Sequence, residues 1–217
     1  NIPAYQHGID LKVTSPFLML VGENGCWKST LMEAIAEQCG FNIQWGNQNH
    51  TYGSGQASVL SDKLTLSWLS KVRRGFYLRA EKFAYFSDYL DELSQQDPSI
   101  FDGYGGKSFK HKSHGESFFS LFSAQFHKGI FLLDEPETAL SPKRQIEFLA
   151  LIRNLASSGK AQFIIATHSP IIMSIPEAQV LQMGEAGVKE MPYRDTEHFQ
   201  AAKLFLDCPE RFHAELI

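Results

Sequence analysis

Cysteine is scarce in this chain, with Cys26, Cys39 and Cys208 the three among 217 residues. An odd number at irregular spacing excludes a disulfide framework and the paired spacing of a zinc site, and it suits a reducing cytoplasm. Long apolar runs are also missing. None approaches the roughly 20 residues that cross a bilayer, and the N-terminus shows no basic-then-apolar leader pattern. The expectation is a soluble, cytoplasmic protein without a membrane span. Neither sign of charge dominates: 20 basic residues face 24 acidic ones, a formal −4. No global field therefore draws the chain to nucleic acid or to an anionic surface. A local patch at Lys71, Arg73 and Arg74 stays open, although three such charges read first as a solvated face. There is no internal repeat or low-complexity tract, and no long heptad stretch, which excludes a coiled-coil arm within the chain.

What the chain does have is apolar material. Hydrophobic residues make up 43%, with 17 Phe, enough for the core of one large domain spanning 1–217. Phe17 to Val21 (FLMLV) is a short buried-strand pattern running into a Gly-rich turn, and Lys28 to Gln38 follows as a helix. Gly75 to Leu78, Ile130 to Leu133 and Phe163 to Ala166 are further short apolar runs of strand type. Helical spacing covers Glu81 to Leu93, a stretch starting near Ser113, and about Pro142 to Ala156. The Asn-, Gln- and Gly-rich stretch from Phe41 to Ser61 reads as turns and short strands. Apolar strands alternating with helices predict an α/β fold with a mainly parallel sheet covered on both faces. A small helical lobe, about 82–127, is inserted within it.

Three short segments carry chemistry. The first is GENGCWKST, which supplies Gly22, Glu23, Asn24, Gly25, Cys26, Trp27, Lys28, Ser29 and Thr30 between a strand and a helix. In that setting backbone N–H groups and a helix N-terminus cradle phosphates, Lys28 reaches the β- and γ-phosphates, and the Ser29 hydroxyl holds Mg²⁺. Trp27 departs from the usual G-x-x-x-x-G-K-[ST] pattern, for it stands where glycine normally precedes the lysine. The second segment is IFLLDEPE, whose apolar strand ends in adjacent carboxylates. Asp134 is the candidate Mg²⁺ ligand and Glu135 the candidate general base. The third is FIIATHSP, which sets His168 just beyond another strand, where it can orient a nucleophile or touch a γ-phosphate.

Taken together, these residues resemble the ATP-binding cassette superfamily over nearly the whole chain and in the family's motif order. The resemblance is closest to small stand-alone bacterial ATPases related to RecF and to the chromosome-maintenance and repair proteins. Their motifs read VGENGxGKST, SHGES, LLDEPE and ATHSP. It implies a P-loop NTPase fold, with ATP and Mg²⁺ as ligands. It also implies that KSHGE is the signature segment, with Ser113, Gly115 and Glu116 matching and Lys112 and His114 not. Ser113 and Glu116 make an S-x-x-E capping box at a helix start as well. In this family the signature acts on the nucleotide of a second subunit, so an ATP-dependent homodimer is implied, beside an unknown protein or nucleic-acid partner. Thr138 to Pro142 occupies the dimer-contact loop, with Ser141 where Asp is commoner. Glu81 falls where many cassettes have Gln, and Tyr5 is a candidate for stacking on adenine. Two other functions stay open: a degenerate nucleotide-binding or interaction module without turnover, on account of Trp27, and a transporter ATPase subunit, disfavoured by Glu81, Ser141 and the DEPE form.

Overall fold

The computed structural model describes residues 8, 10–42, 60–68, 74–104, 114–185 and 187–210. Tyr5, Lys71, Arg73, Lys112, Ser113 and most of the Asn-rich stretch lie outside them. The strands are β1 (Phe17–Val21), β2 (Gly75–Arg79), β3 (Gly129–Asp134), β4 (Ala161–Ala166), β5 (Gln179–Gly184) and β6 (Gly187–Glu190). The helices are α1 (Lys28–Gln38), α2 (Phe83–Gln96), α3 (His114–Gln125), α4 (Pro142–Ser157) and α5 (Glu197–Asp207). They build one six-stranded sheet of order β2-β3-β4-β1-β5-β6. Every neighbouring pair is parallel except the β5–β6 edge hairpin. The mainly parallel α/β fold expected from the alternating segments is therefore observed. The hairpin and α5 go beyond that reading, and α2 starts later than expected because a 3-10 turn, Ala80–Lys82, comes first.

Strands buried on both faces explain the uninterrupted apolar runs. Successive side chains point to opposite sides of a strand. Thus Phe17, Met19, Val21, Phe131, Leu133, Phe163 and Ile165 enter one core, beneath α2, α3 and α4. Leu18, Leu20, Ile130, Leu132, Ile164 and Ala166 enter the other, against Met32, Ile35 and Ala36 of α1. Because the central strands are parallel, their carboxyl ends share one edge. The register aligns Arg79 with Asp134, Asp134 with Ala166, and Ala166 with Leu20. One row across the sheet thus places the three chemistry-bearing loops side by side.

The Phe content has a structural use. On α3, Phe118 stacks on Phe122 at 5.2 Å between ring centroids and Phe122 on Phe126 at 3.7 Å, while Phe148 of α4 meets Phe122 edge-on at 4.9 Å. The series continues from Phe126 to Phe131 of β3, to Phe163 of β4, and to Phe17 of β1. An aromatic ladder therefore fastens α3 to the strands that carry the loops. Phe122 is fully buried with rings on three sides. Phe122→Ala should cost about 3–5 kcal/mol, read as a fall in the urea midpoint with an unchanged slope.

Candidate phosphate-binding and hydrolytic site

Between β1 and α1 the chain turns so tightly that a Cβ on Gly22 would lie 2.3 Å from the Met183 carbonyl oxygen. This leaves glycine as the residue that fits. Lys28, 5% exposed, folds its ammonium back into the loop and donates to the Gly22 carbonyl at 2.7 Å and to the Glu23 carbonyl at 3.2 Å. Those bonds hold the loop arched over its own lysine. Trp27 forms the N-cap of α1 at φ 69°, ψ 20°, and its side chain caps none of the first-turn amides. The left-handed conformation explains why glycine is used there, since a Cβ makes that region unfavourable. Trp27 occupies it nonetheless, with the indole 41% exposed.

Ser29, on the first turn of α1, donates its hydroxyl hydrogen to Asp134 Oδ1 at 3.3 Å. This hydroxyl and carboxylate, from segments 105 residues apart, are the donor set that a Mg²⁺ with few protein ligands calls for. Asp134 is 4% exposed. Burial pushes its carboxyl up to about 6, against the opposing pull of Arg79 and of the Ser29 hydrogen bond. Arg79, at the tip of β2, lies 3.6 Å from Asp134 and 2.6 Å from both Glu33 and Glu81. A narrow cleft is lined by Ser29, Arg79, Glu81, Asp134 and Glu135. Glu81 thus lies beside the candidate metal ligands Ser29 and Asp134.

Glu135 has φ 52°, ψ 52°, a left-handed backbone on a residue that is not glycine. Its N–H still bonds to the Ala166 carbonyl of β4 at 2.9 Å, so the sheet continues through the residue while the chain reverses after it. Strain of this kind, on the order of 1–3 kcal/mol, concentrates at functional positions. The Glu135 carboxylate meets His168 Nε2 at 3.3 Å. His168 is held below the ordinary imidazole range, first by burial and then by the nearby Lys28 ammonium, and so stands neutral. Its backbone N–H donates to Glu137 Oε1 at 2.6 Å. Burial raises the Glu137 carboxyl.

Lys28, Ser29, Asp134, Glu135 and His168 are thereby brought to one edge. Gly115 and Glu116 open α3, and a Cβ on Gly115 would lie 3.6 Å from the Ala139 carbonyl oxygen. Their partner Ser113 lies outside the described residues. Ser141 caps α4, accepting from the Arg144 N–H at 3.5 Å, a task that Asp performs equally well. Sequence reasoning missed Arg79, Glu137 and His198. The first two had a signal, since Arg79 ends an apolar run as Asp134 does, and Glu137 stands within the same acidic segment. His198 had none.

Comparison with known proteins bears out the fold. An inward-facing ABC transporter of metal-chelate type is similar in structure, with TM-score 0.55 and 19% identity over 91% of this chain and 83% of that one. So is cbiO1 of Clostridium perfringens, part of the ABC transporter complex cbiONQ, with TM-score 0.51 and 17% identity over 99% of this chain and 92% of that one. The fold of the chain is thus the one these ABC transporter proteins share. More particularly, residues 74–174 match the family described as "AAA domain, putative AbiEii toxin, Type IV TA system". The thiamine import ATP-binding protein ThiQ, from two strains of Haemophilus influenzae, is 40% identical over 60 residues. That alignment spans 27% of this chain and 28% of each relative's length. Among the described residues no helix is long and apolar enough to cross a membrane.

The raised carboxyl of Asp134 has a measurable consequence for stability. Between about pH 4 and 6 the folded chain holds a proton at Asp134 that the unfolded chain has released, so this group's contribution falls as pH rises through that window. A shift of about two units corresponds to up to about 3 kcal/mol. Asp134→Asn, which does not titrate, should therefore be more stable than the parent at pH 7, by about 1–3 kcal/mol. The gap should shrink towards pH 4. Urea unfolding of both proteins at pH 4.5 and 7 checks this, and an equal gap at the two pH values contradicts it.

Proposed function

We propose that the chain hydrolyses Mg-ATP in a composite site closed by a second copy of itself. The observation that carries the reading is the convergence, at one sheet edge, of a buried lysine inside a phosphate-type loop, a Ser29–Asp134 pair and a Glu135–His168 pair. The donor set fits the ligands: Lys28 would hold the terminal phosphates, and Ser29 and Asp134 would hold Mg²⁺. The bound nucleotide would supply the phosphoryl group, and the metal would offset its charge. Glu135, half-exposed at the cleft and backed by neutral His168, would take the proton from an attacking water and pass it to solvent. Residue assignments of this kind account for about 10²–10⁴-fold of rate when a general base is removed. The likeness to the import ATP-binding protein covers 60 residues, so ATP is what we carry over from it.

The second copy enters through the signature helix. One chain has one signature segment, and α3 stands in a lobe separate from the phosphate loop in sequence. Closing two copies head to tail would set each signature against the other's nucleotide, where a charge-assisted hydrogen bond from Ser113 is worth about 1.5–3 kcal/mol. That is about tenfold or more in dimer affinity per site.

Trp27 sets the level of activity in this reading. A left-handed non-glycine residue costs about 1–2 kcal/mol, and the position is one where the loop backbone would approach phosphate. Trp27→Gly should raise both thermal stability and ATP affinity, and equal affinities would sink the strain argument. Adding Glu135→Gln should then give a chain that binds ATP without turning it over. Mass measured by sedimentation should show dimers with Mg-ATP and monomers with ADP. Nucleotide-bound monomers throughout would refute the composite site, and turnover within twofold of the Trp27→Gly parent would remove Glu135 from its role.

A further inference from the structure

His198 lies on the first turn of α5, 30 residues beyond His168, and its Nε2 is 2.9 Å from His168 Nδ1. The contact is built in. Thr196, fully buried, caps the helix by accepting from the Phe199 N–H at 3.3 Å, and it donates to the Tyr193 carbonyl at 2.6 Å. Tyr193 in turn meets the Phe199 ring edge-on at 5.2 Å. The first turn of α5 is thereby pinned over the loop that follows β4, with His198 on its inner side, 12% exposed at the side chain.

Where two imidazoles face each other through one nitrogen apiece, one donates and the other accepts, and the groups on their flanks decide which. On the outer side of His168, Nε2 faces the Glu135 carboxylate at 3.3 Å. A carboxylate only accepts, so Nε2 is the nitrogen that should carry hydrogen. Nδ1 then has a lone pair and must accept, and His198 must donate from Nε2. The surroundings of His198 agree, for its Nε2 also has Glu23 Oε1 of the phosphate loop 3.7 Å away, a second acceptor on the same side. His168 Nε2, facing Glu135 without a formed hydrogen bond, and His198 Nδ1 are both buried without a hydrogen-bond partner among the described residues, and in this arrangement His198 Nδ1 is a bare lone pair. The opposite arrangement would turn lone pairs towards both carboxylates. Glu137, holding the His168 backbone N–H, fixes the ring from its other end.

We propose that His198 is a positioning residue that sets the tautomer of His168, so that its Nε2–H faces the Glu135 carboxylate. The proposal rests on the ATPase reading for its purpose, since an Nε2–H there attracts and orients the Glu135 carboxylate whereas a lone pair would repel it. It also sets α5 and Glu23 of the phosphate loop beside the same pair of rings, with Glu23 Oε1 3.7 Å from His198 Nε2. The tautomer itself is a property of the nucleotide-free chain.

Nitrogen NMR of the ¹⁵N-histidine-labelled full chain reads this directly, with the His168 signals assigned by their loss in His168→Asn. In the parent, Nε2 of His168 should carry the proton and Nδ1 should not. His198→Leu, which keeps bulk but not the donor, should give a mixture of tautomers, and His198→Gln, which keeps an N–H, should restore the parent pattern. A proton on Nδ1 in the parent overturns the proposal, and so does an unchanged tautomer in a folded His198→Leu chain. In a Trp27→Gly background, His198→Leu should lower kcat about tenfold, as removal of a group orienting a reactive histidine does elsewhere. KM for ATP should stay within twofold, with most of the loss recovered in His198→Gln. A rise in KM at unchanged kcat counts against positioning. Absence of hydrolysis in every chain would reject the ATPase reading, while the NMR result would still decide the tautomer.

Discussion

A carboxylate that is 4% exposed at the tip of a central strand sets the terms for the whole carboxyl edge of this sheet. Asp134 gives up its hydration on folding, and an isolated charge there is expensive. Its neighbours are the response. Arg79 approaches from the adjacent strand in the same row, and Ser29 approaches from the first turn of α1. The compensation is incomplete, because burial still outweighs both in lifting the carboxyl. An acid left partly unsatisfied in this way has a standing demand for positive charge. Parallel pairing makes the arrangement possible, since only parallel strands bring Arg79, Asp134 and the residues beyond Ala166 to one edge.

The second organising element is apolar. The Phe ladder from α3 through β3 and β4 to β1 connects α3 with the strand that feeds the phosphate loop. Packed aromatic rings shift together or not at all, because interiors at crystal-like density leave little room for independent movement. The rings thus form one continuous packed series from α3 to the base of β1. The phosphate loop in turn touches α5 through Glu23 and His198, so two elements far apart in sequence border the same few atoms.

Much of this was legible in the residues. The apolar strands and their order could be read because both faces are buried and no polar residue interrupts them. Lys28, Asp134, Glu135 and His168 could be read because each sits directly at a strand tip or helix start, where local sequence fixes position. The β5–β6 hairpin was harder. Its strands contain Gln179, Gln182 and Lys189, whose polarity masks the pattern although β5 is paired on both sides. Arg79 was passed over because the strand was ended one residue too soon, at Leu78. The importance of Glu137 lies in a bond to the His168 amide, 31 positions away, and that of His198 in the way α5 folds back. Such partnerships are tertiary, and local spacing carries no trace of them. The left-handed backbone of Glu135 was equally hidden, because nothing in a glutamate announces a conformation that it adopts against its preference.

Trp27 has one more consequence. The chain contains three tryptophans, and this one combines an exposed indole with a seat at the first helical turn of the phosphate loop. Indole emission shifts with the polarity around the ring and dims when charged groups approach. The residue that interrupts the glycine pattern therefore equips the loop with its own optical label. Any change of conformation or charge beside Lys28 is written into the protein's fluorescence without an added dye.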